Sequence, residues 1–523
     1  MPILPAGSYS PGSLRAPGVY VSSKVPTPPL TGAPTDIILV VGSALGGPKN
    51  VPVTINGVQE YTNIFGDPEN LIYDMGTQVM VASSVGAYQF QCVRVTDGTD
   101  LEATANILDT ASPTPAVGMT ITSKYTGTLY NTLQVIISAG TNSTISLPLY
   151  KITISFPNGT GNGFGEVYDN IGGSGAVLWQ NLVDAINLGQ GSYAPPSSLV
   201  TAAVGVSTDA PALASYLLSG GATGNSSLDE SDLIGSDISP RTGMYSARDT
   251  LFNFIILSNA TDSSNYVSQV NFAQTEGAYV ILSRPQGEDF IDGIAAKKAI
   301  SFNPEVMPWG KLMVGDWVKI FDPYNNISRF ISAQALIAAK LAILPPQQSS
   351  LNKPISSNLF LATQSSENNY HYTSGDILQI LENGLDVIAT PSVGGNYFGA
   401  QTGVNLSSNP LASTDSYTRL TGYIIDSLLN NVGQYIGMLA SPTEEVSIVS
   451  TVKAFLFGMK KGDQIGFSNP AKRTEIPYTV SLDNSQITKG IQILNVIVAY
   501  LNVITVIEVN LQGGVSSISS NGQ

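Results

Sequence analysis

A strand–helix–strand pattern near the middle of the chain constrains its fold more than any other feature. Residues 251–257 form an apolar run typical of a buried strand, residues 263–276 have helical periodicity, and residues 279–282 are again strand-like. Two strands joined through one helix at this spacing imply a right-handed crossover between parallel strands. An earlier apolar run at 36–42 predicts a further buried strand. The sequence therefore predicts an α/β core, a mixed sheet with crossover helices.

The same alternation continues toward the carboxyl terminus, with a helix expected at 289–300, a strand at 317–321 and a helix at 330–344. A length of 523 residues suggests about three or four domains. The predicted organisation is an N-terminal arm at 1–28, the first part of the core at 29–100, an inserted β-rich outer domain at 101–235, an α/β core domain at 236–400, a C-terminal helical and β part at 401–490, and a C-terminal β arm at 491–523.

The segment 101–235 differs in composition from its neighbours. It is rich in Ser, Thr, Gly and Asn, and its short β-branched runs at 133–138 and 152–156 alternate with turn clusters. One helix is expected at 176–188. Its inward stripe comprises Val177, Leu178, Leu182, Val183 and Ile186. We interpret this segment as a mainly β domain inserted into the chain, with 220–227 as its exit linker.

Two helices are predicted near the carboxyl terminus. The first spans 420–439 and carries an amphipathic apolar stripe. The second spans 442–461 and has clear signals at its start, with Ser441 as N-cap, Pro442 at the first position and Glu444 completing a Ser-x-x-Glu capping box. The second helix is therefore predicted with firm bounds.

The N-terminal end is predicted to be an extended arm. Prolines are frequent in residues 1–28, and because proline has no backbone N–H, neither a helix nor a central strand is expected there. Only the run Val19, Tyr20 and Val21 is strand-like.

The C-terminal end is also predicted to be extended. Residues 491–511 are apolar and long enough to suggest a membrane span, but they alternate with a period of two from Val503 onward and contain Glu508. We therefore predict two β-strands, interrupted near 499–502, and no membrane span.

The residues that usually carry catalysis or bind metals are scarce. A single cysteine, Cys92, and a single histidine, His371, exclude an internal disulfide, a cysteine-rich zinc site and a multi-histidine metal site. His371 lies in a polar stretch without a nucleophile motif and is expected on a surface loop. The turn Gly46-Gly47-Pro48 lacks the Gly-Lys-Ser/Thr of a phosphate-binding loop. No catalytic, cofactor-binding or metal-binding residue is predicted, and the chain is not expected to be an enzyme.

Two remaining groups of polar residues define no reaction. The first lies at the carboxyl ends of predicted strands, where α/β enzymes place their sites, and comprises Asn259, Asp262, Ser283 and Arg284. The second is the pair Glu288 and Asp289, which suggests a hydrolase. Neighbouring residues of a helix point in different directions, so the pair is poorly suited to acid–base catalysis.

The net charge and the amino-terminal sequence indicate whether nucleic-acid binding and secretion are expected. The net charge of −15 repels phosphate backbones, which argues against nucleic-acid binding. The first residues have no basic region followed by an apolar run, so no secretory signal is expected and synthesis in a cytoplasm is predicted.

A set of short motifs runs through nearly the whole chain in a fixed order. They are Ala16-Pro17-Gly18-Val19-Tyr20-Val21, Gly32-Ala33-Pro34-Thr35-Asp36 leading to Val41-Gly42, Gly46-Gly47-Pro48, Tyr61 to Phe65-Gly66-Asp67, Lys124 to Leu133, Tyr417-Thr418-Arg419, and the tail from Lys472-Arg473 to Leu511. No single motif is specific, but the ordered set resembles the contractile tail sheath proteins, the family of myovirus and R-type pyocin sheaths.

The resemblance implies a structural role. A sheath subunit forms a homo-oligomeric six-start helical cylinder around a rigid tail tube, and the cylinder shortens and widens to drive the tube through a cell envelope. The implied partners are further copies of the chain, the tail tube protein, and baseplate and tail terminator proteins, with no cofactor, no nucleic acid and no direct membrane insertion. The implied location is the virion, with assembly in the host bacterial cytoplasm.

The resemblance further implies that both chain ends pair with strands of neighbouring subunits. An isolated strand cannot satisfy its own N–H and C=O groups, but adding it to the edge of a neighbour's sheet does so. The expected arm contacts are Val19, Tyr20, Val21, Ile493, Val496, Val498, Val503, Thr505, Ile507 and Val509.

The helix at 442–461 is expected to face the tube. Lys453 and Lys460 lie seven residues apart and share a helix face, with Lys461 beside them. Lysines at a helix carboxyl end are also favoured by the helix dipole alone, so both interpretations of Lys460 and Lys461 stay open. The family often has a basic cluster before these helices, but residues 399–403 are uncharged here, so no basic contact is expected there.

A different class of protein also fits part of the sequence. The Ser/Thr/Asn-rich middle is compatible with a β-rich secreted or capsid-associated adhesin or structural protein. That alternative predicts monomers or small oligomers, and it leaves the α/β core and both arms unexplained.

Overall fold

A computed structural model of the chain describes residues 4–5, 22–23, 32–157, 165–360, 372–390 and 398–505. The chain separates into two compact units. The larger unit comprises residues 34–423, and the smaller unit combines residues 1–33 with residues 424–523. The predicted strand at Val19, Tyr20 and Val21 lies outside the described residues, as does His371.

The first described elements are two short strands near the amino terminus. Leu4–Pro5 (β1) and Ser22–Ser23 (β2) pair in parallel. They belong to the smaller unit.

The larger unit begins with a buried strand. Its first elements are Ile38–Gly42 (β3), Val53–Asn56 (β4), Val58–Phe65 (α1), Met75–Val85 (α2) and Gln89–Arg94 (β5). All five residues of β3 are buried, as expected of a parallel strand covered on both faces. The predicted strand at 36–42 is thereby confirmed from Ile38 onward.

Seven strands and two helices follow β5. They are Glu102–Leu108 (β6), Val117–Thr126 (β7), Gln134–Ala139 (β8), Tyr150–Ser155 (β9), Glu166–Ile171 (β10), Gly175–Leu188 (α3), Val200–Val204 (β11), Ser215–Leu217 (β12) and Glu230–Ile234 (α4). The strands form a four-stranded sheet in the order β10-β9-β8-β12 and a three-stranded sheet in the order β11-β7-β6. Both sheets and α3 share one apolar core that includes Trp179 and Ile121. Of the predicted stripe on α3, Val177 is exposed, while its other four residues are buried.

The α/β pattern then resumes. Its elements are Phe254–Leu257 (β13), Tyr266–Glu276 (α5), Tyr279–Ser283 (β14), Phe290–Ala299 (α6), Gly310–Met313 (β15), Val318–Asp322 (β16), Ile327–Ile331 (β17), Gln334–Ala342 (α7), Ser374–Glu382 (α8), Ile388–Ala389 (β18), Gly399–Ala400 (β19) and Asp415–Val432 (α9). The crossover β13–α5–β14 joins parallel strands, as the sequence predicts.

The central sheet of the larger unit has the order β15-β14-β13-β3-β5-β4. Every neighbouring pair is parallel except β4 with β5. Helix α7 is buried almost all round and packs in the same apolar core as β3 and α2. The predicted α/β class with a sheet of mixed orientation is confirmed.

Two predicted helices have different bounds. The helix expected from 330 begins at Gln334, because Phe330 and Ile331 pair with β16 as the last residues of β17. The helix expected at 420–439 is α9, which starts at Asp415 and ends at Val432. Glycines follow that end, and Gly437 has a φ of 89°, a left-handed conformation that does not continue a helix.

The smaller unit continues with Pro442–Lys461 (α10), Tyr478–Asp483 (β20) and Ile493–Val498 (β21). The bounds of α10 match the prediction, and the Ser441 side chain accepts a hydrogen bond from the Glu444 N–H. β20 and β21 form an antiparallel two-stranded sheet that packs on α10. No described helix is long and apolar enough to span a membrane.

Candidate assembly interface

The place where α/β enzymes bind their ligands is filled in this protein. Ligands normally enter where strand order reverses, here between β3 and β13. A Cβ on Gly42 at the end of β3 would lie 2.5 Å from both the Ser258 hydroxyl oxygen and the Tyr73 carbonyl oxygen. The chain before α2 therefore covers the carboxyl edge of the sheet, because the Tyr73 carbonyl also accepts the Ser43 N–H.

The polar residues at this edge bond to other parts of the fold. Asn259 accepts from the Gln78 amide at 3.0 Å and donates to the Ile72 carbonyl at 2.8 Å. Asp262 caps a short helical turn through the Ser264 N–H. The geometry gives each of these side chains a structural partner.

The same holds for the two remaining candidates and the carboxylate pair. Arg284 binds Glu288 through two hydrogen bonds of 2.5 and 2.6 Å. Asp289 instead caps α6 by accepting from the Ile291 N–H, and the Ser283 hydroxyl donates to the Arg284 carbonyl at 3.2 Å. Glu288 and Asp289 therefore have separate partners.

The glycine turn after β3 packs closely against the segment after β7. A Cβ on Gly46 would lie 2.9 Å from atoms of Leu129 and Tyr130, which belong to the segment after β7. Gly127, with a φ of 135°, brings its backbone so close to Leu45 that a Cβ would lie 2.2 Å from the Leu45 carbonyl oxygen. The glycines at 46 and 127 are therefore needed for close packing of the two segments.

A buried arginine holds the same junction together. The Arg94 guanidinium, at the end of β5, donates to the carbonyl oxygens of Gly47 and Thr126 at 2.8 Å and of Thr223 at 3.0 Å. Burial lowers the Arg94 pKa. One side chain therefore joins the turn after β3, the end of β7 and the predicted exit linker.

A second buried cluster lies at β15, the edge strand at the opposite end of the central sheet. The Lys311 ammonium contacts Asp386 at 2.7 Å and Asp415 at 3.0 Å, and all three side chains are fully buried. Burial alone would lower the Lys311 pKa, but the two carboxylates outweigh it and raise that pKa. Tyr279 donates to Asp415 at 2.8 Å. The cluster is a structural ion network.

The uncharged stretch at 399–403 and the Tyr417-Thr418-Arg419 motif surround this network. Backbone N–H groups of Thr402 and Gly403 donate to Asp386 at 2.9 and 3.0 Å. Arg419 donates to the carbonyls of Leu344 and Pro345 after α7. The motif residue therefore ties the start of α9 to the segment after α7.

The smaller unit has a different character, because its sheet has only two strands. β20 pairs only with β21 among the described residues, so each strand keeps one outer edge. Val496 and Val498 lie opposite Val480 and Tyr478 on one face, and Ile493 lies on the other face opposite Asp483. The exposed apolar residue of the outer face is Ile497, which the sequence reasoning did not select.

Only some of the remaining predicted arm residues are among those that the structure describes. Val503 and Thr505 are described but belong to no strand that is paired within this chain, and their pairing with a neighbouring copy stays a prediction. Ile507 and Val509 lie outside the described residues, as do Val19, Tyr20 and Val21.

The three lysines of α10 have unequal surroundings. The Lys460 ammonium donates to the carbonyl oxygens of Glu475 at 2.8 Å and Thr474 at 3.3 Å. Lys461 lies over the Phe457 ring, 5.2 Å from its centre. Lys453 is exposed. Of the three, Lys453 is the side chain best placed to meet another molecule.

The connection between α9 and α10 carries an exposed apolar surface that the sequence reasoning missed. Ile436 and Leu439 keep 86% and 88% of their surface exposed, and Met438 is also exposed. The sequence pattern places Ile436 and Leu439 on the apolar stripe of a helix ending at 439, but that helix ends at Val432. The glycines at 433 and 437 were the signal that the helix ends earlier.

No described group of His, Cys, Asp and Glu side chains could hold a metal ion. No family model and no curated protein sequence matches the chain.

Solved structures, by contrast, are similar over most of the chain. The sheath tail protein of Listeria innocua has a TM-score of 0.59 at 14% identity, over 90% of this chain and 96% of that one. The sheath tail protein of Desulfitobacterium hafniense has a TM-score of 0.54 at 13% identity, over 92% of this chain and 100% of that one.

A third similar structure is the sheath complex of the extracellular contractile injection system PVC in its contracted state, with a TM-score of 0.52 at 10% identity, over 96% of this chain and 98% of that one. Identities this low establish the fold alone, but the coverage includes nearly the full length of each chain. This protein therefore has the fold of contractile tail sheath proteins.

Proposed function

We propose that this chain is the structural subunit of a contractile phage tail sheath, which polymerises helically around the tail tube and contracts to drive the tube through the host envelope. The single observation that supports this most is the similarity to sheath proteins over at least 90% of the chain, one of them in a contracted sheath. The filled carboxyl edge of the central sheet supports a structural role and disfavours an enzyme. A β-rich adhesin is not favoured.

The proposed partners follow from that role. They are further copies in a six-start helix, the tail tube protein, and baseplate and tail terminator proteins. The proposed location is the virion, with assembly in the host bacterial cytoplasm.

The link between copies is proposed to be strand addition at the sheet β20–β21. Two-stranded sheets are marginal by themselves, and among the described residues the outer edges of β20 and β21 have no strand beside them. Each added backbone hydrogen bond contributes roughly 0.5–1.5 kcal/mol, so a few bonds with apolar burial make a firm link. The donated strands are the N-terminal arm with Val19, Tyr20 and Val21 and the C-terminal arm with Ile507 and Val509.

Negative-stain microscopy of the purified chain tests the assembly. The intact chain is expected to form wide striated cylinders, and deletion of residues 1–24 is expected to leave folded subunits that do not polymerise. A finer test is Val19→Pro with Val21→Pro, which removes two backbone donors. Its matched control, Val19→Thr with Val21→Thr, keeps both donors and should still assemble. Normal cylinders from the deletion variant would refute the arm mechanism.

Contact with the tube is proposed to involve the face of α10 that carries Lys453 and Lys460, with Lys461 adjacent. Because Lys460 is bound to backbone carbonyls within its own chain, Lys453→Glu should weaken assembly on the tube more than Lys460→Glu. Co-assembly with the tube protein at low and high salt measures this. If both charge-reversed variants form tails as the wild type does, a lysine contact with the tube is wrong.

A further inference from the structure

The apolar connection, which we define as residues 433–441, is the most unusual surface of the smaller unit. Its side chains Ile436, Met438 and Leu439 are exposed, and Leu429 at the end of α9 and Val446 near the start of α10 are exposed as well. Loops in water are normally polar and rich in turn formers. Exposed large apolar residues that follow one another in this way mark a surface that another molecule covers.

The charged residues closest to the apolar connection along the sequence are negative. Between Asp426 and Lys453 the sequence contains Glu444 and Glu445 and no lysine or arginine. The helix dipole accounts for carboxylates in the first turn of α10. It does not account for the exposed apolar side chains before that turn.

The other end of α10 offers a complementary surface. Lys472 and Arg473 are exposed there, and Ile476 keeps 65% of its surface exposed. Residues 460–475 carry four basic and two acidic side chains. The helix of 20 residues between the two ends is about 30 Å long. One copy therefore presents an acidic apolar surface at one end of α10 and a basic apolar surface at the other.

We propose that the apolar connection of one copy docks on the segment 472–476 of the next copy, head to tail. Two apolar connections facing each other would bring Glu444 and Glu445 against their like-charged counterparts, which disfavours a symmetric contact. A head-to-tail contact is heterologous, so it does not close on itself and propagates along a filament or ring. The occupant of the apolar connection is therefore a second copy of this chain.

This contact rests on the proposed self-assembly but uses residues that strand addition does not involve. Leu439 and Ile436 are the expected anchors, because they are the most exposed apolar side chains of the connection. Lys472 and Arg473 orient the contact through screened ion pairs.

Sedimentation of the intact chain measures the contact. Ile436→Ser with Leu439→Ser should weaken association roughly a hundredfold, because two apolar anchors lose their burial. The matched control is Val206→Ser with Leu213→Ser, which removes two exposed apolar side chains from the larger unit and should leave association unchanged. Equal association of both variants and the wild type overturns the proposal.

A charge exchange tests the direction of the contact. Glu444→Lys with Glu445→Lys should weaken association, as should Lys472→Glu with Arg473→Glu, and all four changes in one chain should restore it. If the four-fold variant associates no better than either double variant, the head-to-tail arrangement is wrong.

Cross-linking locates the contact directly. The only native cysteine, Cys92, is fully buried, so Leu439→Cys with Lys472→Cys supplies the accessible thiols. A bismaleimide should then produce a ladder of covalent oligomers on a denaturing gel, whereas Leu439→Cys alone should stay monomeric. Dimers from Leu439→Cys alone, or no ladder from the double variant, overturn the proposal.

The outcomes separate this contact from the proposed function. If the Ile436→Ser, Leu439→Ser variant forms normal cylinders, the proposed head-to-tail contact is wrong and the proposed sheath role still stands. If the chain gives a cross-linked ladder but never forms cylinders, the proposed sheath role is wrong and the head-to-tail contact still stands.

Discussion

The two units of the chain differ in charge and in the size of their sheets. The larger unit carries 15 basic and 31 acidic residues, whereas the smaller unit carries eight basic and seven acidic residues. The larger unit has a central sheet of six strands, and its buried Lys311 and Arg94 bind to neighbouring segments. The smaller unit leaves strand edges unpaired among its described residues and exposes Ile436 and Leu439.

The difference in net charge indicates which unit associates more readily with copies of itself. Bodies with a net charge of −16 repel one another, while a nearly neutral unit with exposed apolar side chains does not. Strand edges and apolar surface gain most when a neighbour covers them. The difference in charge therefore favours contacts between copies through the smaller unit.

The largest expected effect tests how much the buried ion network stabilises the larger unit. Lys311→Met leaves the buried carboxylates of Asp386 and Asp415 without their cation, which should lower the free energy of unfolding by about 3–5 kcal/mol. Chemical denaturation followed by fluorescence measures the loss. The exposed Lys298→Met is the control and should change little. Equal stability of both variants would mean that the ion network is not needed.

The next effect tests the junction at Arg94. Arg94→Met leaves three carbonyl oxygens without their donor, two of them in buried bonds, and should destabilise the larger unit by about 3 kcal/mol. Hydrogen exchange should show lost protection both after β3 and near Thr223. Loss at only one of these places would show that Arg94 does not join them.

A smaller effect depends on pH. Burial alone would raise the pKa of Asp100, but hydrogen bonds from Thr126, Lys49 and Thr96 lower it to about 2. The unfolded chain has a value of about 3.9, so this stabilisation is complete above pH 4 and is lost as the pH falls toward 2.

The change should amount to about 1 kcal/mol after solvent screening. Denaturation midpoints between pH 2 and 5 measure it for the wild type and for Asp100→Asn, which lacks the titrating group. A wild type whose pH profile matches that of the variant would contradict the contribution of Asp100.

The smallest expected effect is in the smaller unit. Leu439→Ser should change the free energy of unfolding by less than about 0.5 kcal/mol, because the side chain is exposed in the single chain. The same substitution at the fully buried Leu336 is the contrast and should destabilise the larger unit strongly. If both substitutions destabilise alike, Leu439 is not a free surface and the comparison between the units fails.

Much of the fold could be predicted from local patterns. The apolar run before Gly42, the helical period of α5 and the capping signals of α10 each depend on a few neighbouring residues, and each was assigned correctly. The end of α9 was missed because apolar residues continue with helical spacing beyond Val432, although glycines already end the helix.

The candidate sites were less predictable. Nothing local to Lys311 indicates that its partner Asp415, 104 residues away, lies beside it. The same limit applies to Arg94, which bonds Thr223 across 129 residues. Periodicity reports which face of an element is apolar, but not which elements meet.

The sequence by itself determined the alternation of strands and helices, the low charge and the scarcity of catalytic residues. Only the tertiary structure decided which polar side chains share a buried network and which apolar side chains remain uncovered. The physical reason is that hydrogen-bonded turns and hydrophobic periods arise between neighbours in the chain, whereas burial and ion pairing arise between segments that only the folded chain brings together.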